Sequence, residues 1–418
     1  MSQKNDICMN TLDLLDPPAS ALENTAERTQ QLREPQPITD LVPDALPRPA
    51  WVEIDLRRFR RNFEVINRDK PKGLQLVSVI KDEAYGHGAC EAAKIALGSG
   101  ASFLALSTVE EAIVLRDRGI KARILLLGDR HEHELPWCVD HGLTCCVSEP
   151  YGVARLGKLA AQKGKRVPVH LKVNTGMNRY GVRWNEAASL ASLIGSTKSL
   201  YLEGMLSHFA QSDELDKTFA LLQLARFQEA RNAILALGMP LKFSHLCNSG
   251  GFLDLPQAYF DMVRIGILTL GVYPSSVCRR IPGIEAVMSV KARIAGIQNL
   301  QPGDTVGYGM RFAAQSPRRI AVLPIGYGDG FPRVRNQGCA LLHGRRAPIV
   351  GGIAMDALTV DITDIPEARM WDEAVLMGQQ GNEEISVHEV AKLKNSVSYD
   401  VLTSWRGRLP RIYVNRDA

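Results

Sequence analysis

The sequence predicts an α/β protein in which a (β/α)8, TIM-like barrel is followed by a mainly β C-terminal domain. Two observations carry this reading. Eight short apolar runs alternate with amphipathic helical stretches between about residues 74 and 266, and near residue 285 the rhythm changes to strands joined by Gly/Pro turns. A chain of 418 residues is long enough for two domains with substantial cores.

Residues 1–50 stand apart, with seven of the 22 prolines, no aromatic residue, and eight acidic against four basic side chains. Such a segment buries too little apolar surface to offset its ordering entropy, so a disordered tail is expected there. Order is expected from Trp51–Asp55, an alternating strand that leads into a helix over 56–67 and is able to pair with the C-terminal domain. The barrel is expected over 51–284, its strands at 74–80, 103–107, 123–127, 143–147, 168–173, 201–206, 242–246 and 261–265. A doubly wound sheet would show the same alternation; the count of eight favours the barrel. The β domain is expected over 285–418, with strands at 287–297, 319–324, 347–350 and 358–362 and a turn at Gln301-Pro302-Gly303-Asp304.

Composition excludes several function classes. No run approaches the roughly 18 uninterrupted apolar residues of a membrane helix, and the first 50 residues lack the basic start and apolar core of a secretory signal. Eight cysteines without a C-x-x-C pair read as reduced thiols in a cytoplasmic protein, with Cys145-Cys146 a buried strand pair. The net charge of +5 is spread along the chain, and Arg57-Arg58-Phe59-Arg60-Arg61 reads as a solvated helix face, so nucleic acid is not an expected partner. His131-Glu132-His133-Glu134 lacks the H-E-x-x-H spacing that sets two ligands on one helix face, and reads as a helix start; no metal site is expected.

The chemistry begins where the first barrel run ends, at Val79-Ile80-Lys81. The C-terminal rim of a (β/α)8 barrel is where active sites are built, and a partly desolvated lysine there has a lowered pKa and can form a Schiff base with an aldehyde. Taken alone, Lys81 reads more readily as a side chain that snorkels to solvent.

The wider pattern changes that. Lys81 to Gly88 resembles the K-x-x-A-Y-G-H-G signature of the alanine racemase family, whose lysine carries pyridoxal phosphate. Further segments match in the same order over roughly residues 51–415: His170 to Arg179, Gly204 to Phe209, His245 with Asn248-Ser249, Val263 to Ile267, Val306 to Gly309, Pro324 to Gly330, and Met355-Asp356. The resemblance implies a pyridoxal 5'-phosphate enzyme that interconverts L- and D-alanine and supplies D-alanine for peptidoglycan. It implies Lys81 and Tyr308 as the two opposed acid/bases; racemisation needs such a pair because a proton removed on one face must return on the other. By the same resemblance Arg264 faces the cofactor's ring nitrogen, with His208 and His245 around it. Tyr85, Ser249, Gly266, Ile267 and Tyr399 hold the phosphate, and Arg179 contacts substrate. Lys172 is a candidate for carbamylation. Met355, like Tyr308, is contributed to the site of a partner subunit in a homodimer. Asn248, Tyr327 and Asp356 are supporting residues. Without the resemblance, Tyr308 and Tyr399 read as β-domain structure, Gly266 as packing and each histidine as a satisfied core residue.

Four departures from the family pattern, Asp82-Glu83, Asn174, Leu270 and Ala354, remove no catalytic group but bear on the substrate, leaving a serine or broad-range racemase as the alternative. A non-catalytic cofactor carrier would lack the β domain. A decarboxylase would need a cysteine acid and a different glycine-rich phosphate motif, and neither is present.

Overall fold

The computed structural model describes residue 46 and residues 48–416; the expected tail therefore lies almost wholly outside the described residues. Strand β1, Ala50–Asp55, runs into helix α1, Leu56–Asp69. Asp55 caps the helix by accepting from the Arg58 N–H at 2.9 Å, and Leu56, Phe59, Phe63 and Ile66 form its buried face. The arginines lie along the other side, where Arg58 and Arg61 approach Glu285 at 3.4 and 3.9 Å.

Eight parallel strands follow: β2 Gln75–Val79, β3 Phe103–Leu106, β4 Ile124–Leu126, β5 Thr144–Val147, β6 Val167–Asn174, β7 Leu200–Leu206, β8 Phe243–His245 and β9 Met262–Ile265. They pair in the order β9-β2-β3-β4-β5-β6-β7-β8. Between β8 and β9 the ring is completed by backbone bonds from Asp261 N–H to Ser244 and from Arg264 N–H to Cys247, at 3.1 and 3.0 Å, rather than by a regular ladder. The runs are short and mostly Val, Ile, Leu and Phe because strands inside a barrel bury both faces.

Beyond the barrel the chain is mainly β. One sheet orders Arg345–Pro348, Cys339–Leu342, Glu373–Gln380, Met288–Arg293, β1 and Arg411–Val414; a second joins Gly296–Leu300, Arg318–Leu323 and Leu358–Asp361. The single strand expected over 287–297 is two strands, because the chain passes from one sheet to the other at Ile294-Ala295. β1 pairs antiparallel with Met288–Arg293 and parallel with Arg411–Val414, so the first strand belongs to this sheet and not to the barrel.

Two smaller expectations concern side chains. Cys145 and Cys146 are buried free thiols on β5. In the 131–134 segment, Glu134 accepts from the His131 N–H at 2.6 Å and pairs with Arg130 at 3.0 Å, while Glu132 pairs with Arg155. Among the described residues no helix is long and apolar enough to cross a membrane.

Candidate active site

Lys81 follows β2 at the C-terminal rim, and the four residues after it, Asp82, Glu83, Ala84 and Tyr85, have φ of 51°, 55°, 51° and 54°. This is one turn of left-handed helix, which costs L-residues roughly 1–2 kcal/mol each, so neighbours must hold it. The Asp82 N–H donates to the Glu111 carboxylate, which also accepts from Ser107 and Thr108 at 2.9 and 3.0 Å. The Glu83 carboxylate accepts from the Ala89 N–H at 3.0 Å. Nδ1 of His87 lies 2.9 Å from the Ala84 carbonyl and 3.0 Å from that of Tyr85. Carbonyls only accept, so the His87 proton sits on Nδ1; burial pushes its pKa down to about 4, leaving the ring neutral.

The turn delivers Lys81 and Tyr85 to a cavity of about 440 Å³. Lys172, Arg179, His208, Asn248, Ser249, Arg264, Gly266, Ile267 and Tyr399 share its wall. Burial, with Arg179 adding, holds the Lys81 amine below its ordinary pKa. Lys172, on β6, is pushed down to about 7 by burial and then by Arg264.

Arg264, on β9, is buried in the cavity wall. Its Nη1 donates to the His245 carbonyl at 3.1 Å and contacts His245 Nδ1 at 2.9 Å. Its Nη2 donates to the carbonyls of Ser207 and Leu246 at 2.7 and 3.1 Å and contacts His208 Nδ1 at 3.1 Å. Burial lowers its pKa only to about 10, so the guanidinium stays charged at neutral pH. All five contacts engage Nη1 or Nη2, so Nε–H is the donor that remains for a ligand. His245 thus stands behind Arg264 and not on the cavity wall.

On the same wall the Ser249 hydroxyl accepts from the Gly266 N–H at 3.3 Å. A Cβ on Gly266 would lie 2.6 Å from the Tyr85 hydroxyl, so glycine keeps room beside that hydroxyl. The Tyr85 and Tyr399 rings are 6.1 Å apart, and burial raises both hydroxyl pKa values, which leaves two neutral donors. Asn248 orders the segment by accepting from the Gly251 N–H at 2.9 Å and the Ser212 hydroxyl at 2.8 Å.

Tyr308, Tyr327, Met355 and Asp356 are not brought to this cavity. Tyr308 is 81% exposed and lines a second cavity of about 440 Å³ with Tyr327, Arg333, Arg335 and Gly352. Met355 is exposed, and its sequence neighbour Asp356 pairs with Arg408. The 326–330 loop is fixed by Asp329, which receives both Nη groups of Arg48 at 2.6 Å.

Sequence reasoning did not single out Arg130 and Tyr180, which line the Lys81 cavity, or Glu111, His170 and Glu203. Thr108-Val109-Glu110-Glu111 has the spacing of a capping box, which forms, and that signal could have found Glu111. Nothing local marks Glu203.

A lysine of lowered pKa at the barrel rim, a buried guanidinium and two neutral hydroxyls share one cleft, a set of groups able to take an anionic ligand that reacts with an amine. Profiles described as "Alanine racemase, N-terminal domain" and "Alanine racemase, C-terminal domain" match residues 54–274 and 287–413. The alanine racemases of Syntrophobacter fumaroxidans and Desulfovibrio desulfuricans are each 38% identical, over 85% and 88% of this chain and 95% and 98% of theirs. The solved Bacillus anthracis alanine racemase with bound L-Ala-P superposes with a TM-score of 0.83 at 31% identity, covering 89% of this chain and 97% of that one. The Streptomyces coelicolor alanine racemase gives 0.83 at 32%, covering 90% and 100%. The chain belongs to the alanine racemase family.

Proposed function

We propose that this enzyme interconverts L- and D-alanine with pyridoxal 5'-phosphate held on Lys81. The observation that carries the reading is one cavity shared by a lowered-pKa lysine, a buried arginine and a glycine-opened pair of tyrosine hydroxyls. These groups fit the cofactor: the amine suits its aldehyde, Nε–H of Arg264 its ring nitrogen, and the donors at Tyr85, Ser249, Gly266, Ile267 and Tyr399 its phosphate. When bound, the cofactor withdraws electrons from the amino acid's α-carbon and so acidifies its C–H bond.

The chain's own residues do the rest. Nζ of Lys81 takes or returns the α-proton on one face. The hydroxyl of Tyr308 serves the other face, and its absence from the Lys81 cavity supports its supply by a second copy of the chain, together with Met355. The proposed assembly is thus a homodimer with shared sites. Arg264, already charged, disfavours a second positive charge on the ring nitrogen, which tempers the electron withdrawal and protects against transamination. Arg179 binds the substrate carboxylate. The Lys172 amine, largely neutral above about pH 7, attacks carbon dioxide; a C–N bond forms as one C=O π bond opens onto oxygen, the nitrogen loses a proton to solvent, and the resulting carbamate orients Arg179.

The proposed role is supply of D-alanine for peptidoglycan in the cytoplasm. Purified, cofactor-loaded protein should abolish the optical rotation of L-alanine faster than that of L-serine or bulkier amino acids. Unchanged rotation with every amino acid would reject racemisation, and a preference for serine would reject alanine as the substrate.

A further inference from the structure

A buried line of polar groups runs from Arg264 through the barrel interior, away from the cavity. A guanidinium only donates, so at the 2.9 Å contact Nδ1 of His245 accepts, and the His245 proton sits on Nε2. That N–H faces Nδ1 of His170 at 2.8 Å, which must accept in turn, so His170 also carries its proton on Nε2. Nε2 of His170 has no hydrogen-bond partner among the described residues, and Oε2 of Glu203 lies 3.5 Å from it. Glu203 pairs with Arg123, whose guanidinium lies 4.2 Å from the Phe103 ring centroid. Every proton position along the line follows from the donor-only cation at one end, and an acceptor-only carboxylate stands near the other.

The backbone is shaped for this contact. The β6–β7 register passes from Val169–Leu202 to His170–Gly204, so Glu203 is the extra residue of a β-bulge. Bulges re-aim a side chain, and they gather beside active sites. The next residue, Gly204, leaves room for the imidazole: a Cβ there would lie 3.1 Å from Cε1 of His170 and 2.6 Å from the Phe243 carbonyl oxygen. Phe103 and Phe243 flank His170 with centroids at 6.2 and 6.1 Å, an apolar sleeve in which charge acts over a longer range than in water. Burial keeps both imidazoles neutral. Burial alone would raise the Glu203 carboxyl, but His170 and Arg123 outweigh it and hold it at about 2.

We infer that Glu203 and His170 are positioning residues: the carboxylate steadies the Nε2–H end of the imidazole pair whose tautomers Arg264 sets, and through that pair the aim of Arg264 at the cofactor ring. The inference rests on the placement of Arg264 proposed above.

The test uses the cofactor-loaded protein labelled with 15N-histidine. In the wild type, His170 and His245 should both appear as Nε2–H tautomers with exchange-protected protons. Glu203→Gln should shift the His170 and His245 nitrogen signals and speed exchange of the His170 Nε2 proton, shift the bound-cofactor absorbance band, and lower kcat about tenfold with KM within about twofold, the low end for loss of an orienting partner. His170→Phe keeps the aromatic packing and removes the line; it should give the same band shift and a disturbed His245 signal, and it decides the matter should Glu203→Gln fail to fold. A lower Tm with the histidine signals, proton exchange and absorbance unchanged in the folded variant would mean an ordinary structural ion pair and overturn the inference, leaving alanine racemisation by the wild type intact. A wild type inactive on alanine would instead reject the functional reading.

Discussion

Nη2 of Arg264 stands 3.1 Å from Nδ1 of His208, and because the guanidinium cannot accept, His208 must. Burial, then Arg264, holds the His208 pKa well below its usual range. A cation thus sits between two imidazoles that cannot share its charge. Arg264→Glu should reverse the field at the cofactor ring, lowering racemisation on the order of 100-fold, comparable to loss of one electrostatic contact in an active site. Polarimetry measures the loss, and the rate of pyruvate formation should rise. Unchanged rates for both would reject the ring-nitrogen assignment.

Lys81 should be the attachment point. Borohydride treatment of the holoenzyme should add the cofactor's mass to the peptide containing Lys81, and Lys81→Ala should lose the label and the yellow colour. Label on Lys172 would exchange the roles of the two amines.

Gly266→Ala inserts a methyl group 2.6 Å from the Tyr85 hydroxyl. Overpacking of this kind costs about 1–3 kcal/mol, so cofactor affinity should fall about ten- to hundredfold. Equilibrium dialysis against pyridoxal phosphate gives the comparison, and unaltered affinity would remove Gly266 from the phosphate end.

Lys172 gives a pH dependence whose sign is fixed. Its folded-state pKa of about 7 lies below the ordinary 10.5, so between those values the unfolded chain binds the extra proton and stability rises with pH. In carbon-dioxide-free buffer Lys172→Met should therefore raise Tm more at pH 6 than at pH 9 by scanning calorimetry. With carbon dioxide present, the wild type should carry an added carbamate mass, and Lys172→Ala should lose activity that acetate partly restores.

The shared site predicts complementation. Lys81→Ala and Tyr308→Phe homodimers should each be nearly inactive. After random subunit exchange half the dimers are mixed, and one of the two sites in each is whole, so about a quarter of wild-type activity should return. Demonstrated exchange without recovery would place both bases on one chain.

Much of this was legible in the sequence, for physical reasons. Barrel strands announce themselves because both faces are buried, so β2 to β9 read as apolar runs between amphipathic helices. The cavity residues were reachable through motif resemblance, since Lys81, Tyr85, Arg179, Arg264 and Gly266 lie within short collinear segments. Arg411–Val414 was not read as a strand, because its partner lies far along the chain and no hairpin turn marks it; Glu373–Gln380 was passed over although Gly381-Asn382 joins it to Glu383–Ile385 in a two-residue hairpin. The left-handed turn at Asp82–Tyr85 also escaped notice: none of its residues is glycine, and tertiary contacts, not local preference, set its backbone. Glu203 reads as a charge interrupting an apolar run until the bulge shows where it points.

β1 has a consequence for how the protein is made. Val52 lies beside Arg411 in register, and Ala50 beside Ala292. The opening strand therefore waits for almost the entire polypeptide before both its edges are covered, a long-range closure of the kind that slows folding. During synthesis it is an exposed ribbon, and a fragment ending before residue 288 would keep it so, inviting strand-to-strand aggregation. Expressing the barrel alone should accordingly require deletion of Ala50–Asp55, or supply of the C-terminal portion as a separate chain to cover it.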